Sequence, residues 1–262
     1  MTVPQATILP GLVEVSPGLM RPDWVLPAGV QACVTTRAGG VSLAPYASFN
    51  LGDHVGDDPA AVRANRARLQ AELRVAPLWL SQVHGVVVAD ADCAQGCPEA
   101  DAVLARTGRR ACAVMTADCL PVLFCADDAS VVAAAHAGWR GLAAGVLERT
   151  VMAMNVPPAR VKAWLGPAIG PQAFEVGDEV RAVFVADDPG AASAFAPGLA
   201  GGKWMADLFA LARRRLARAG IHDVAGGGLC TVSRTDDFFS YRRDGRTGRF
   251  ASLIWLEDDR AR

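Results

Sequence analysis

Val131-Val132-Ala133-Ala134-Ala135-His136-Ala137-Gly138-Trp139-Arg140-Gly141 holds five apolar residues in a row, then one histidine, then two glycines that lead into an alanine-rich stretch ending near Met154. A short continuous apolar run bounded by glycine reads as a buried strand, and the stretch after it reads as a helix. A strand feeding directly into a helix makes the class mixed α and β. It also puts His136 at a strand end, where a side chain points out of the core into a cleft.

Similar short β-rich runs flank this stretch on both sides, at 32–36, 86–89, 111–115, 122–125 and 161–165. Asp57-Asp58-Pro59 followed by Val62, Leu69 and Leu73 has the acid cap, first-turn proline and apolar stripe of an amphipathic helix over 58–74. A second helix is expected from Trp204 to Ala219, stopped by Gly220, and a third from Asp178. No linker composition or repeat divides the chain, so one domain is expected over 1–262, with an irregular N-terminal segment over 1–25. Helical layers on a largely antiparallel sheet system, an α+β arrangement, is the expected architecture.

The 262 residues are 52% hydrophobic and only 20% charged, which supports a sizeable core and excludes global disorder. Twenty-six Lys and Arg against 27 Asp and Glu leave a net charge of -1, so no polyanion-attracting field covers the molecule. Nucleic acid and membranes are therefore not the expected partners. Asp118 interrupts the most apolar window, 111–126, before it could reach membrane-span length. The first residues lack the basic start and apolar stretch of an export signal, and seven cysteines in so long a chain read as reduced thiols, so a cytoplasmic setting is expected.

The chain has four histidines, so a histidine-based site draws on a small set. His84 lies in Ser81-Gln82-Val83-His84-Gly85, between two apolar segments. Cys119 lies in Thr116-Ala117-Asp118-Cys119-Leu120-Pro121, a turn between two apolar strands. With His136 these are three donors at breaks between apolar runs and Gly or Pro turns. Imidazole and thiolate suit zinc, which leaves a fourth position open in catalytic sites. The same His₂Cys set suits copper, with Met115 nearby in sequence. Each also has an ordinary structural reading, since core histidines are mostly hydrogen-bonded and a cysteine between strands is a small hydrophobe.

Thr35-Thr36-Arg37-Ala38-Gly39-Gly40-Val41-Ser42, Gln82-Val83-His84-Gly85, the Thr116 to Pro121 run and His136 to Gly141 resemble the signature blocks of the YfiH-like family, also called the laccase-domain, polyphenol-oxidase or peptidoglycan-editing-factor family. Leu165 to Gly170, Phe174 to Gly177 and Phe238 to Asp244 are similar in order and spacing, so the resemblance spans about residues 30–256. It implies a single α/β/β/α layered domain with mixed sheets and a zinc held by His84, Cys119 and His136. It also implies a purine nucleoside phosphorylase acting on adenosine, inosine, guanosine and methylthioadenosine, with adenosine deamination as a second activity. Purine nucleoside and phosphate would then be the partners, and a monomer or weak homodimer the state.

Phosphorolysis requires a held phosphate and a charge sink for the departing purine. Arg37 and Arg140, each with glycine within two residues, are the phosphate candidates, and Gln82 and Asn50 are candidates for binding purine or ribose. Deamination would need a carboxylate to move the proton, for which Asp118 is nearest, or Asp118 orients a ligand histidine instead. A conventional laccase uses far more histidines than the four here. A metal-free alternative makes Cys119 a thiolate nucleophile with His84 or His136 as base, a hydrolase of cell-wall precursors. Arg242, Arg243, Arg246 and Arg249 with Tyr241 and Phe250 suggest a nucleic-acid module, but the interleaved Asp236, Asp237 and Asp244 suggest a salt-bridged loop. Cys93 and Cys97 have no second pair to complete a structural zinc site.

Overall fold

The computed structural model describes residues 9–257. Two six-stranded sheets stack between helices. The first has strands β1 (Leu12–Ser16), β2 (Leu19–Pro22), β3 (Val30–Thr35), β15 (Phe250–Leu256), β7 (Arg110–Thr116) and β4 (Ala76–Leu78), in that spatial order. The second runs β14 (Asp223–Gly226), β10 (Val161–Leu165), β8 (Leu120–Ala126), β9 (Val132–Ala137), β6 (Ala102–Ala105) and β5 (Val88–Asp90). A small third sheet joins β11 (Glu175–Gly177), β13 (Lys203–Ala206) and β12 (Phe195–Pro197). Most pairs are antiparallel; β4 with β7, β5 with β6 and β10 with β14 are parallel. The sheets are mixed, as expected.

Alternation along each strand builds the layers, because successive side chains of a strand point to opposite faces. Cys112 and Val114 of β7 face Leu123 and Cys125 of β8 in a core between the two sheets. Ala111, Ala113 and Met115 turn the other way, onto Leu69 of helix α1 (Pro59–Leu73). Leu120, Val122 and Phe124 turn away from the first sheet, onto helices α3 (Val146–Met154), α4 (Asp178–Asp187) and α5 (Leu208–Arg218). Central strands with both faces covered must be apolar throughout, which is why they lack a polar alternation in sequence. The α/β/β/α layering is present.

Four local expectations differ. The segment expected to be irregular over 1–25 contains the β1–β2 hairpin, turned at Gly18 (φ 83), while residues 1–8 lie outside the described part. The helix to Met154 is two helices, α2 (Trp139–Ala144) and α3, because Gly145 takes φ 95 between them. The helix expected from Trp204 begins at Leu208. Asp207 caps it by accepting from the Ala210 N–H, and the residues before Asp207 extend to pair in the small sheet. β15, the strand between β3 and β7, was not anticipated, because its apolar residues follow an arginine-rich loop.

Candidate metal centre

The chain passes from the first sheet to the second between β7 and β8, and Asp118 in that crossing takes φ 94. This left-handed turn brings Cys119 to the sheet end, where Pro121 of β8 pairs with His136 of β9. His84 reaches the same point from the loop between β4 and β5, itself at φ 62. Two non-glycine residues in this sparsely used region mark backbone held against its preference.

The donor atoms of His84, Cys119 and His136 lie within 4.8 Å of one another. Among the described residues this is the one such cluster of His, Cys, Asp and Glu, and Cys93 and Cys97 stand exposed apart from it. Cys119 Sγ is 3.7 Å from His84 Nε2, close to the roughly 3.6 Å edge between nitrogen and sulfur ligands in a tetrahedral zinc site. The two imidazoles meet edge to face with centroids 4.8 Å apart. His84 is exposed, Cys119 half-buried and His136 buried, so the cluster opens on one side. This donor set fits a metal ion with an open position.

Asp101 fixes the arrangement. Its fully buried carboxylate is 2.8 Å from His136 Nδ1, which turns Nε2 toward the cluster. The same carboxylate accepts the backbone N–H groups of Val83, His84 and Gly85 at 3.2, 2.9 and 2.5 Å. Burial opposes its charge, but these donors and His136 hold the carboxyl below its ordinary range. Sequence reading missed Asp101; its signal was one acid placed directly before the wholly buried run Ala102-Val103-Leu104-Ala105.

Glycines admit the close approach. A Cβ at Gly138 would stand 2.7 Å from His84 Cδ2 and 2.9 Å from Cys119 Sγ, and one at Gly141 would stand 3.0 Å from the Gly85 carbonyl oxygen. Without metal the cluster is an ion pair. Burial works against the Cys119 thiolate, yet His136 and His84 bring its pKa down to about 6. Burial likewise opposes charge on His136, and Cys119 with Asp101 raises it to about 9. Iodoacetamide labelling of Cys119 in metal-stripped protein will therefore reach its half-maximal rate near pH 6 and fall as pH is lowered through that value. A midpoint at the ordinary thiol value would show that no such pair exists.

A cavity of about 500 Å³ opens over the cluster. Trp139, Phe174 and Tyr241 supply aromatic walls; Arg140, Arg242 and Arg249 supply positive charge; Gln82, Met115, Asp118 and His54 complete the lining. Of the four phosphate and purine candidates, Gln82 and Arg140 join the cluster here. Gln82 exchanges hydrogen bonds with both the N–H and the carbonyl of Met115, at 2.8 Å each. Arg140 stacks on Trp139 at 4.5 Å. Asp118 accepts from Thr231 Oγ1 at 2.6 Å and the Arg242 N–H at 2.7 Å, so it anchors the short helix α6 (Tyr241–Asp244) while Asp101 orients the histidine.

Arg37 and Asn50 lie elsewhere. Arg37 donates to the carbonyls of Ala47 and Thr235 and covers the Phe239 ring, and buried Asn50 ties Gly52, Asp57 and the Arg249 N–H together. Both hold loops around the site, Arg37 through Nε and Nη1 to backbone carbonyls and Asn50 through backbone groups and the Asp57 carboxylate. In the arginine-rich segment Arg243 pairs with Asp244, Arg246 donates to Tyr46, Arg242 and Arg249 donate to carbonyls, and Phe250 is wholly buried. No helix among the described residues is long and apolar enough to cross a membrane.

The profile of a family described as multi-copper polyphenol oxidoreductase laccase matches residues 31–257. A protein of Pseudomonas aeruginosa named purine nucleoside phosphorylase is 58% identical over 239 residues, 91% of this chain and 98% of the relative. The Escherichia coli purine nucleoside phosphorylase YfiH is 54% identical over 244 residues, 91% of this chain and 98% of the relative. A crystal structure of a Neisseria meningitidis protein superposes with TM-score 0.89 at 55% identity, covering 92% of this chain and 99% of the other. With the profile matched over nearly the whole described chain and the relatives matched end to end, this protein is a member of the YfiH-like, laccase-domain family.

Proposed function

We propose that this protein is a zinc-dependent purine nucleoside phosphorylase, acting on adenosine, inosine, guanosine and methylthioadenosine with inorganic phosphate, with adenosine deamination as a side activity. The observation that carries the reading is a metal-competent His84, Cys119 and His136 cluster at the floor of a cavity with three aromatic walls and three arginines. That volume falls in the range of small-molecule sites and suits a nucleoside with a phosphate beside it. The names of the relatives support the same reading.

In phosphorolysis a phosphate oxygen bonds to the sugar C1′ while the C1′–N9 bond breaks and its electron pair passes to the purine. Trp139, Phe174 and Tyr241 offer faces for the flat base, and the arginines hold the anion against C1′. Gln82, locked on Met115, keeps one N–H and one lone pair for the substrate. A zinc held by His84, Cys119 and His136 would supply Lewis-acid chemistry at this end of the cavity. Copper would occupy the same donors, but the Met115 sulfur faces the Arg66 guanidinium at 3.9 Å.

The second reading is a thiol hydrolase. Asp101, His136 and Cys119 stand in the order orienting acid, base and nucleophile, with the thiol already lowered to about 6. Product analysis of adenosine with and without phosphate, on protein of measured metal content, separates the two. The expected result is adenine and ribose 1-phosphate only with phosphate, from protein carrying about one zinc per chain. Inosine formed without phosphate makes deamination the main reaction. Untouched adenosine, with no bound metal and a readily alkylated Cys119, overturns the phosphorylase in favour of the hydrolase.

A further inference from the structure

Arg249 leads into β15 at the cavity wall, half-buried. Its Nη1 donates to the carbonyls of Thr247 and Gly248, at 3.1 and 3.0 Å. Nε and Nη2 have no hydrogen-bond partner among the described residues, and the guanidinium forms no ion pair there. The other two cavity arginines differ. Arg140 lies exposed on the Trp139 ring, and Arg242 spends Nη1 on the carbonyls of Ala173 and Glu175 while covering Phe174. A guanidinium cannot shed its proton to escape burial, so withdrawing one from water without a carboxylate is costly unless something anionic meets it. Burial works against the charge of Arg249, and Cys119 and Asp118 nearby favour that charge without hydrogen-bonding the guanidinium.

We infer that Arg249 is the anchor for a phosphoryl oxyanion, which in the reading proposed above is the inorganic phosphate that attacks the sugar. The fork of Nε and Nη2 matches two oxygens of a tetrahedral anion. The segment is built to hold it in place: the Arg249 N–H donates to Asn50 Oδ1 at 2.8 Å, and Gly52 leaves room for the stem, since a Cβ there would stand 2.8 Å from Arg249 Cγ. Asn50 thus bears on the anion through Arg249. His54, from the same loop as Gly52, lines the same cavity; burial and Arg249 hold it below its ordinary pKa while Asp53, 3.6 Å away, opposes the shift. The assignment rests on the phosphorylase reading for the identity of the anion and on the unpaired guanidinium for the site.

The test uses holoprotein with inorganic phosphate as probe, followed by phosphorus NMR line broadening, beside steady-state kinetics. Arg249→Met should weaken phosphate binding and raise the KM for phosphate about 30-fold, with zinc content and the KM for nucleoside within about twofold of wild type. Arg249→Lys, which keeps the charge without the fork, should lie between. Arg149→Met, on the exposed face of α3, should change neither. If Arg249→Met binds phosphate as wild type does, or if it loses nucleoside and phosphate equally along with thermal stability, the assignment is overturned. If wild type binds phosphate through Arg249 yet leaves every nucleoside intact, the phosphorylase reading fails and the anion site stands.

Discussion

Gly138→Ala should purify folded, with bound metal reduced at least tenfold and turnover reduced at least about 100-fold. The backbone permits alanine, since Gly138 has φ -60 and ψ 156, so the effect comes from one methyl carbon. That carbon would sit 2.7 Å from the His84 ring and 2.9 Å from the Cys119 sulfur. Relief requires each contact to open by nearly 1 Å, and neither partner is free to give. His84 is pinned through its N–H to Asp101, and Cys119 follows the strained turn at Asp118. A displacement of that size between catalytic groups is worth about two orders of magnitude in rate. Wild-type metal content and rate in the alanine variant would show that the three donors do not act together.

Asp101→Asn should lower metal affinity by about 10- to 100-fold and the melting temperature by about 5–10 °C. The carboxylate accepts on both oxygens, His84 N–H and His136 on one and Val83 N–H and Gly85 N–H on the other. An amide has one oxygen, so its NH₂ must face either the loop donors or the donors of the ligand side. The group is fully buried, and no water replaces what is lost. The pKa of His136 falls when its carboxylate partner is neutralised, and Cys119, stabilised by that imidazolium, rises. The labelling midpoint of the metal-stripped variant should therefore move above pH 6. Calorimetry with a metal titration checks both; unchanged affinity would mean that His136 finds its orientation without Asp101.

The three donors were legible because each sits at a break in an apolar run and the family blocks mark the same three positions, although each alone also has an ordinary structural reading. The apolar runs showed a mixed α and β class with helical layers on sheets, and the layer order and mixed sheets followed from the family blocks alone. Asp101 was not legible, since Glu99-Ala100-Asp101 looks like any acidic loop until the fold carries it under two ligands. Arg37 and Asn50 had suitable chemistry but point at backbone, and only the tertiary path shows this. Arg249 was weighed as part of a charge run. What sets it apart is that its neighbours Arg243 and Arg246 find side-chain partners while its Nε and Nη2 find none among the described residues.

The first sheet has its last-made strand at its middle. Ala251 of β15 donates to Thr35, 216 positions earlier, while the opposite edge of β15 completes β7. A nascent chain therefore holds β3 and β7 as two open edges throughout synthesis, and neither face of the inter-sheet core can close over the gap. Two of the three cavity arginines, Arg242 and Arg249, are made just before that strand, long after Arg140. Assembly of the sheet and completion of this wall of the cavity both wait on β15, so a chain that lacks it presents unpaired β edges and an incomplete pocket.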